Sequence, residues 1–258
     1  GSERMSSERA AQRIPWERAR RRLGKAIALL RAGEWRTVLR ALRKWLYSDS
    51  YAYGLRRDLT VSLDVPEPTI SVTVRPIQQS DVPAFTEVDR SRHDRESIRH
   101  RSASARLLGS EIRTCYVALT DEGVPCYMQY LIFSGENDKV ERFFEGIFPR
   151  LREDEALLEA AFTLEEYRGL RLMPFVMNQL AEKARQEGAR WLLTFVSTGN
   201  VAALKGCKRV GFVPYLLVNQ RFRTFRRRIV FTRLPEGTPY PFDVEGGSTV
   251  ERTAARGV

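Results

Sequence analysis

Apolar residues along this chain change period several times, and the changes mark out its elements. Trp16, Ala19, Leu23, Ile27 and Leu30 recur at helical spacing, as do Trp35, Val38, Leu39, Leu42, Trp45 and Leu46 after Gly33. The spacing predicts two amphipathic helices joined near Ala32-Gly33, with Arg20, Arg21, Arg31, Arg36, Arg40, Arg43 and Lys44 on their opposite faces. Tyr47, Tyr51 and Tyr53 then precede Arg56-Arg57. Pro66-Glu67-Pro68 resists regular structure, so it divides an N-terminal segment, residues 1–65, from a domain over residues 69–234. Ile70 to Val74 alternates as a strand, and Ser80 or Asp81 is placed to cap a short helix running to Val88. An Arg-rich stretch, Asp89 to Ser104, carries both histidines, His93 and His100. Cys115–Thr120 and Pro125–Phe133 flank Asp121-Glu122-Gly123, which predicts an antiparallel hairpin. Val140, Phe143, Phe144 and Ile147 then predict a helix within residues 137–153.

The strongest pattern runs from Glu155 to Phe212. An apolar run ends at Thr163, a turn carries Tyr167-Arg168-Gly169, and Leu172, Phe175, Val176, Leu180 and Ala184 recur at helical spacing. Pro174 falls in the first turn of that helix, where its missing N–H is tolerated, and Gly188 ends it. A second apolar run, Trp191 to Val196, follows, and then a short helix. A strand-turn-helix-strand unit presents the free N–H groups of a helix N-terminus above the turn, an arrangement that attracts an anion. Val213–Arg221 and Phe225–Arg233 predict a terminal strand pair, with Arg221, Arg223, Arg226, Arg227 and Arg228 around its turn. Residues 235–258 are Gly/Pro-rich or polar and read as a loose tail.

Glu166-Tyr167-Arg168-Gly169-Leu170-Arg171 resembles the Gln/Arg-x-x-Gly-x-Gly/Ala turn of the GNAT superfamily of N-acetyltransferases. Asn200-x-x-Ala203-x-x-x-Cys207-x-x-x-Gly211-Phe212 is similar to that family's Asn-x-x-Ala-x-x-x-Tyr-x-x-x-Gly-Phe run. The resemblance covers roughly Ser71 to Leu234 and implies an α/β fold, a mixed, mostly antiparallel central sheet flanked by helices, here with an N-terminal basic helical hairpin. Three residues depart from the family pattern: Glu166 stands for Gln or Arg, Arg171 for a small residue and Cys207 for Tyr. Arg171 removes backbone freedom at the turn while offering a guanidinium fork to a phosphate.

The resemblance implies acetyl-CoA, or another acyl-CoA, as co-substrate. Its thioester arm would lie between splayed strands ending near Ala161, Phe162, Thr163 and Val196, with its pyrophosphate on Tyr167, Arg168, Gly169, Leu170, Arg171 and Leu172. Asn200 would cap the following helix beside Ala203 and bond the arm, and a strand N–H near Phe162 or Thr163 would meet the oxyanion. Acyl transfer to an amine needs a base, since an alkylammonium has a pKa of about 10.4. Glu155, Leu157 and Glu159 share one face of a regular strand. Glu159 lies deeper in the apolar run and is the preferred base; Glu155 follows Glu153-Asp154 and reads more simply as a solvated strand end. Cys207 stands at the family's acid position, where it is equally readable as an inert buried thiol, and Tyr215 is the substitute. No metal is expected. The implied activity is direct acyl transfer to a primary amine of a small molecule, amino sugar or protein. The alternatives are longer-chain transfer from an acyl carrier protein, or a non-catalytic binding module.

Composition adds location and partners. With 258 residues, 43% of them hydrophobic, the chain can bury a full core as one domain plus an appendage. Three cysteines make no disulfide framework, no signal-peptide pattern opens the chain, and no run approaches the ~18 apolar residues of a membrane span. The expected compartment is the cytoplasm, with peripheral contact at the inner membrane surface. Of the net charge of +11, residues 1–57 hold +10, from 15 Lys/Arg against 5 Asp/Glu. That segment suits an acidic partner or an anionic membrane surface; nucleic acid is not the partner expected.

Overall fold

The computed structural model describes residues 47–89, 91, 94–223 and 226–243. The predicted helical hairpin of residues 15–46 and the residues after 243 lie outside them, as does His93. Within the described residues eight strands form one sheet: β1 (Tyr47–Asp58), β2 (Val72–Pro76), β3 (Cys115–Thr120), β4 (Pro125–Phe133), β5 (Glu155–Thr163), β6 (Trp191–Ser197), β7 (Val213–Arg223) and β8 (Arg226–Arg233). Their order is β2-β3-β4-β5-β6-β1-β7-β8, and β5–β6 is the parallel pair among antiparallel neighbours. Five helices accompany them: α1 (Val82–Thr86), α2 (Arg95–Leu108), α3 (Asn137–Phe144), α4 (Leu172–Gln186) and α5 (Val201–Arg209).

Strand alternation sorts the core into two layers. Ala156 and Leu158 of β5 point to one face, where Val176, Leu180 and Ala184 of α4 and Leu204 of α5 cover them. Leu157 and Phe162 point to the other, against Phe85 of α1, Leu107 of α2 and Val140 of α3. The parallel β5–β6 pair needs a crossover, and α4 supplies it.

β1 lies where the sequence placed part of the N-terminal segment, yet it occupies the middle of the sheet between β6 and β7. Tyr53 and Leu55 are 1% and 0% exposed, and buried Arg57 donates to Asn178 Oδ1 of α4 at 2.9 Å. Tyr53, Leu55 and Arg57, grouped above with the N-terminal segment, are therefore part of a core strand. Gly54 sits at a register shift against β7, and a Cβ there would lie 2.9 Å from both Leu216 Cβ and Phe195 Cε1. At the other end, residues 235–237 are exposed but Tyr240 and Phe242 pack on the core, which corrects the loose-tail reading for that part. Tyr240 is 3% exposed, donates its hydroxyl to Phe212 O at 2.8 Å and stacks on Phe242, while Asp243 pairs with Lys208 at 2.6 Å.

Removing residues 1–66 therefore deletes a ladder partner from both β6 and β7, and the remaining chain should show no cooperative urea transition. Gly54→Ala should fold but lose roughly 1–3 kcal/mol to overpacking. A truncated chain with the wild-type midpoint would show that β1 is dispensable.

Candidate active site

The parallel pairing of β5 with β6 starts at Glu155–Trp191 and stops at Leu158–Thr194, although both strands continue, to Thr163 and Ser197. Each continuing stretch keeps its outer partner: Glu159, Phe162 and Thr163 pair with β4, and Phe195, Val196 and Ser197 pair with β1. The facing edges thus diverge into a wedge in the middle of the sheet. Leu164 N–H donates to Cys126 O of β4. By strand alternation Phe162 N–H also turns to β4, and Thr163 N–H turns into the wedge.

The divergence has a local cause. Tyr130 opposes Glu159 and Met128 opposes Phe162, so Ala160 and Ala161 together face the single residue Gln129, forming a β-bulge. Ala160 has φ of 55°, a left-handed conformation that costs a non-glycine residue about 1 kcal/mol. Glu159, just before the bulge, is on the α1–α3 side of the sheet with Leu157. Burial pushes its carboxyl up to about 7, against a smaller lowering by the hydrogen bond from Ala160 N–H. A carboxyl titrating there is half ionised near neutrality, the condition a general base needs.

Past Thr163 a 3₁₀ turn, Glu165–Tyr167, leads through Arg168, Gly169, Leu170 and Arg171 into α4 at Leu172. Gly169 has φ of 82° and Arg171 has φ of 60°. Both left-handed positions suit glycine, and the second is where the sequence carries Arg instead. The turn keeps the shape its glycine pattern suggests, with Arg171 exposed and Leu172 buried. Tyr167 and Leu170 pack partly on the core beneath, and Thr69 N–H bonds Leu170 O at 3.1 Å. The opening N–H groups of α4 and the guanidinium groups of Arg168 and Arg171 belong to one exposed turn at the end of β5. Across the wedge, Asn200 caps α5 by accepting from Ala203 N–H at 3.1 Å, which commits Oδ1 and leaves its amide donors for another partner.

Other expected site residues sit elsewhere. Glu155 lies at the closed end of the parallel pair, where Arg152 holds it through a 2.8 Å backbone and a 3.0 Å guanidinium hydrogen bond; it is a strand-end ion pair rather than a base. Tyr215 is on β7, separated from β6 by β1, with Arg56 stacked over its ring at 5.7 Å and over Trp191 at 4.7 Å. Burial, and then Glu155, raise its phenol pKa, so it is a poor proton donor to a thiolate. Cys207 is 0% exposed in the α4–α5 core and burial pushes its thiol up to about 12. Proton transfer from it to a thiolate of ordinary pKa, about 8.5, is strongly uphill, which leaves the inert reading. Among the described residues no group of three or more His, Cys, Asp or Glu is placed to hold a metal ion.

Three residues that sequence reasoning passed over also border this region. Arg101 of α2 pairs with Glu165 at 2.8 Å, beside Ser97 and close to Phe162. Only the i, i+4 spacing of Ser97 and Arg101 could have signalled them, and in an Arg-rich stretch that spacing is uninformative.

No family model matches the sequence, and no curated protein matches it. Similar solved structures include a GNAT-family acetyltransferase from Colwellia psychrerythraea, 12% identical over 72% of this chain and 57% of that one, with a TM-score of 0.42. A GCN5-related N-acetyltransferase from Sphaerobacter thermophilus is 13% identical over 76% of this chain and 55% of that one, with a TM-score of 0.43. A tandem GNAT protein from the clavulanic acid biosynthesis pathway is 16% identical over 77% of this chain and 58% of that one, also at 0.43. This chain thus spans little more than half the length of each, and all three bear the name of the family its motifs resemble.

The raised Glu159 carboxyl has a signed consequence for stability. Below its unfolded pKa of 4.5 the group is protonated in both states; as pH rises from there to about 7 the unfolded chain ionises first, and the folded state loses up to about 3 kcal/mol. Glu159→Gln should therefore melt several degrees above wild type at pH 8 and close to it at pH 5. An equal difference at both values would show that Glu159 does not carry the raised pKa.

Proposed function

We propose that the protein is an acyltransferase that moves an acyl group from an acyl-CoA, most simply acetyl-CoA, to a primary amine. The observation that carries this reading is the wedge itself. A bulge at Ala160–Ala161 stops the ladder, and the same stretch supplies unpaired strand edges, an exposed helix-start turn bearing Arg168 and Arg171, and a carboxyl that titrates near neutrality.

In this reading the pantetheine arm enters the wedge as an added strand, bonding the free edges of β5 and β6 as extended peptides bond open sheet edges. The pyrophosphate sits on Arg168–Leu172, held by helix N–H groups and by Arg168 and Arg171. The amine approaches from the α1–α3 face, where Glu159 lies. Its nitrogen attacks the thioester carbonyl carbon and its proton passes to Glu159, directly or through a water. Thr163 N–H, turned into the wedge, donates to the carbonyl oxygen as it gains charge. The C–S bond then breaks and the thiolate leaves with the electron pair. With a pKa near 8.5 it can depart unprotonated and take its proton from solvent, so neither Cys207 nor Tyr215 is needed.

Calorimetry should show acetyl-CoA binding that weakens about tenfold or more in Arg168→Ala, since a charge-assisted phosphate contact contributes roughly 1.5–3 kcal/mol. Unchanged affinity in that variant would remove the pyrophosphate from this turn. A melting-temperature panel of acetyl-CoA, longer acyl-CoAs and holo acyl carrier protein identifies the donor by mass action. Once an acceptor is found, Glu159→Gln should lower turnover by roughly 10²–10⁴ with acyl-CoA affinity retained; full activity in that variant would exclude Glu159 as the base.

A further inference from the structure

α2 turns a polar stripe inward. Ser97, Arg101 and Ser104, at helical spacing, are 1%, 5% and 6% exposed. A guanidinium withdrawn from water needs partners, and those of Arg101 come from two other elements. It donates to Ala84 O at 2.6 Å and Glu87 O at 3.4 Å, at the C-terminal end of α1, and to Glu165 Oε2 at 2.8 Å, in the 3₁₀ turn before α4. Its guanidinium carbon also lies 5.7 Å from the centre of the Phe162 ring, which stacks on His100 and meets Phe85 edge-on.

Those contacts fall on a short span. Ala160 and Ala161 form the bulge, Phe162 follows them, and Glu165 precedes Arg168, the start of the exposed turn, by three residues. One side chain of α2 therefore grips the chain between the proposed base and the proposed phosphate site. Stability alone explains the pair poorly, because buried ion pairs often contribute little net stability and the Arg101 Nε is buried without a partner among the described residues. Against the desolvation that opposes ionisation, Ser97 and Arg101 hold the Glu165 carboxyl down to about 2, with Oε2 bonded by Arg101 and Oε1 buried without a hydrogen-bond partner among the described residues.

We propose that Arg101 is a positioning residue which, by holding Phe162 and Glu165 against α2, sets the distance between Glu159 at the bulge and the acyl-CoA turn at Arg168–Leu172. The link to acyl-CoA rests on the function proposed above; the mechanical link does not. Amide hydrogen exchange on the ligand-free chain tests the second. Arg101→Gln and Glu165→Gln should each speed exchange at Tyr167 and Arg168 about tenfold or more while β3 and β4 keep their protection. Calorimetry with coenzyme A tests the first: each single variant should weaken binding by roughly tenfold, the double variant should lose no more than either single, and Arg101→Lys should recover part of the loss. Unchanged exchange at the turn, or additive losses in the double variant, would overturn the assignment. Should Arg101→Gln not fold, Glu165→Gln, which keeps the buried guanidinium bonded to α1, decides by the same two readouts. If wild type binds no coenzyme A, the acyl-CoA reading falls and exchange alone decides the positioning role.

Discussion

A parallel strand pair that stops pairing after four residues is the constraint on which this molecule depends. Two strands that diverge inside a sheet expose backbone donors and acceptors that would otherwise be satisfied, and such groups are costly when buried. The divergence persists because each strand is held from outside: β4 keeps β5 in register beyond the bulge, and β1 keeps β6 in register to Ser197. The opening is thus a property of four strands rather than two.

The two faces of the opening differ in chemistry. On one side α4 and α5 cover the sheet with aliphatic contacts, and the polar features are the helix starts at Leu172 and Val201. On the other, Glu159 shares its face with Leu157 and Phe162, and desolvation dominates its titration. The function proposed above, with an anionic ligand on one side and an amine on the other, would use this division, because a carboxylate placed among phosphates would repel them.

The middle of the chain was legible in its sequence because local signals and tertiary placement agree there. The Asp121-Glu122-Gly123 hairpin, the apolar run to Thr163, the turn at Gly169 and the helix after it all lie where periodicity puts them, and Glu159 stands apart from Glu155 for the reason the run suggests. Periodicity did not expose the bulge, since Ala160-Ala161 looks like ordinary strand and its left-handed residue is not glycine. Nor did it expose the inertness of Cys207, which depends on helix packing. The largest misreading, β1, came from grouping residues by charge. Tyr51, Tyr53, Leu55 and Arg57 alternate with smaller or less buried residues as a strand should, but the Arg content and the later Pro-Glu-Pro drew them toward the basic segment. The Arg57–Asn178 bond that makes a charge tolerable in that core joins residues 121 apart and leaves no local trace.

The place of β1 in the sheet has a consequence for how the chain acquires its structure during synthesis. Every ladder partner of β1 lies more than 130 residues further along the chain. At ribosomal rates of roughly 5–20 residues per second, β1 leaves the ribosome on the order of ten seconds before β6 and β7 exist to receive it. Loop closure over such a span makes this pairing among the slowest in the fold. Until β6 has emerged the chain carries a long, tyrosine-rich strand with both edges open, and until β7 has emerged one edge stays open, the state in which edge-to-edge association between nascent chains is most favoured.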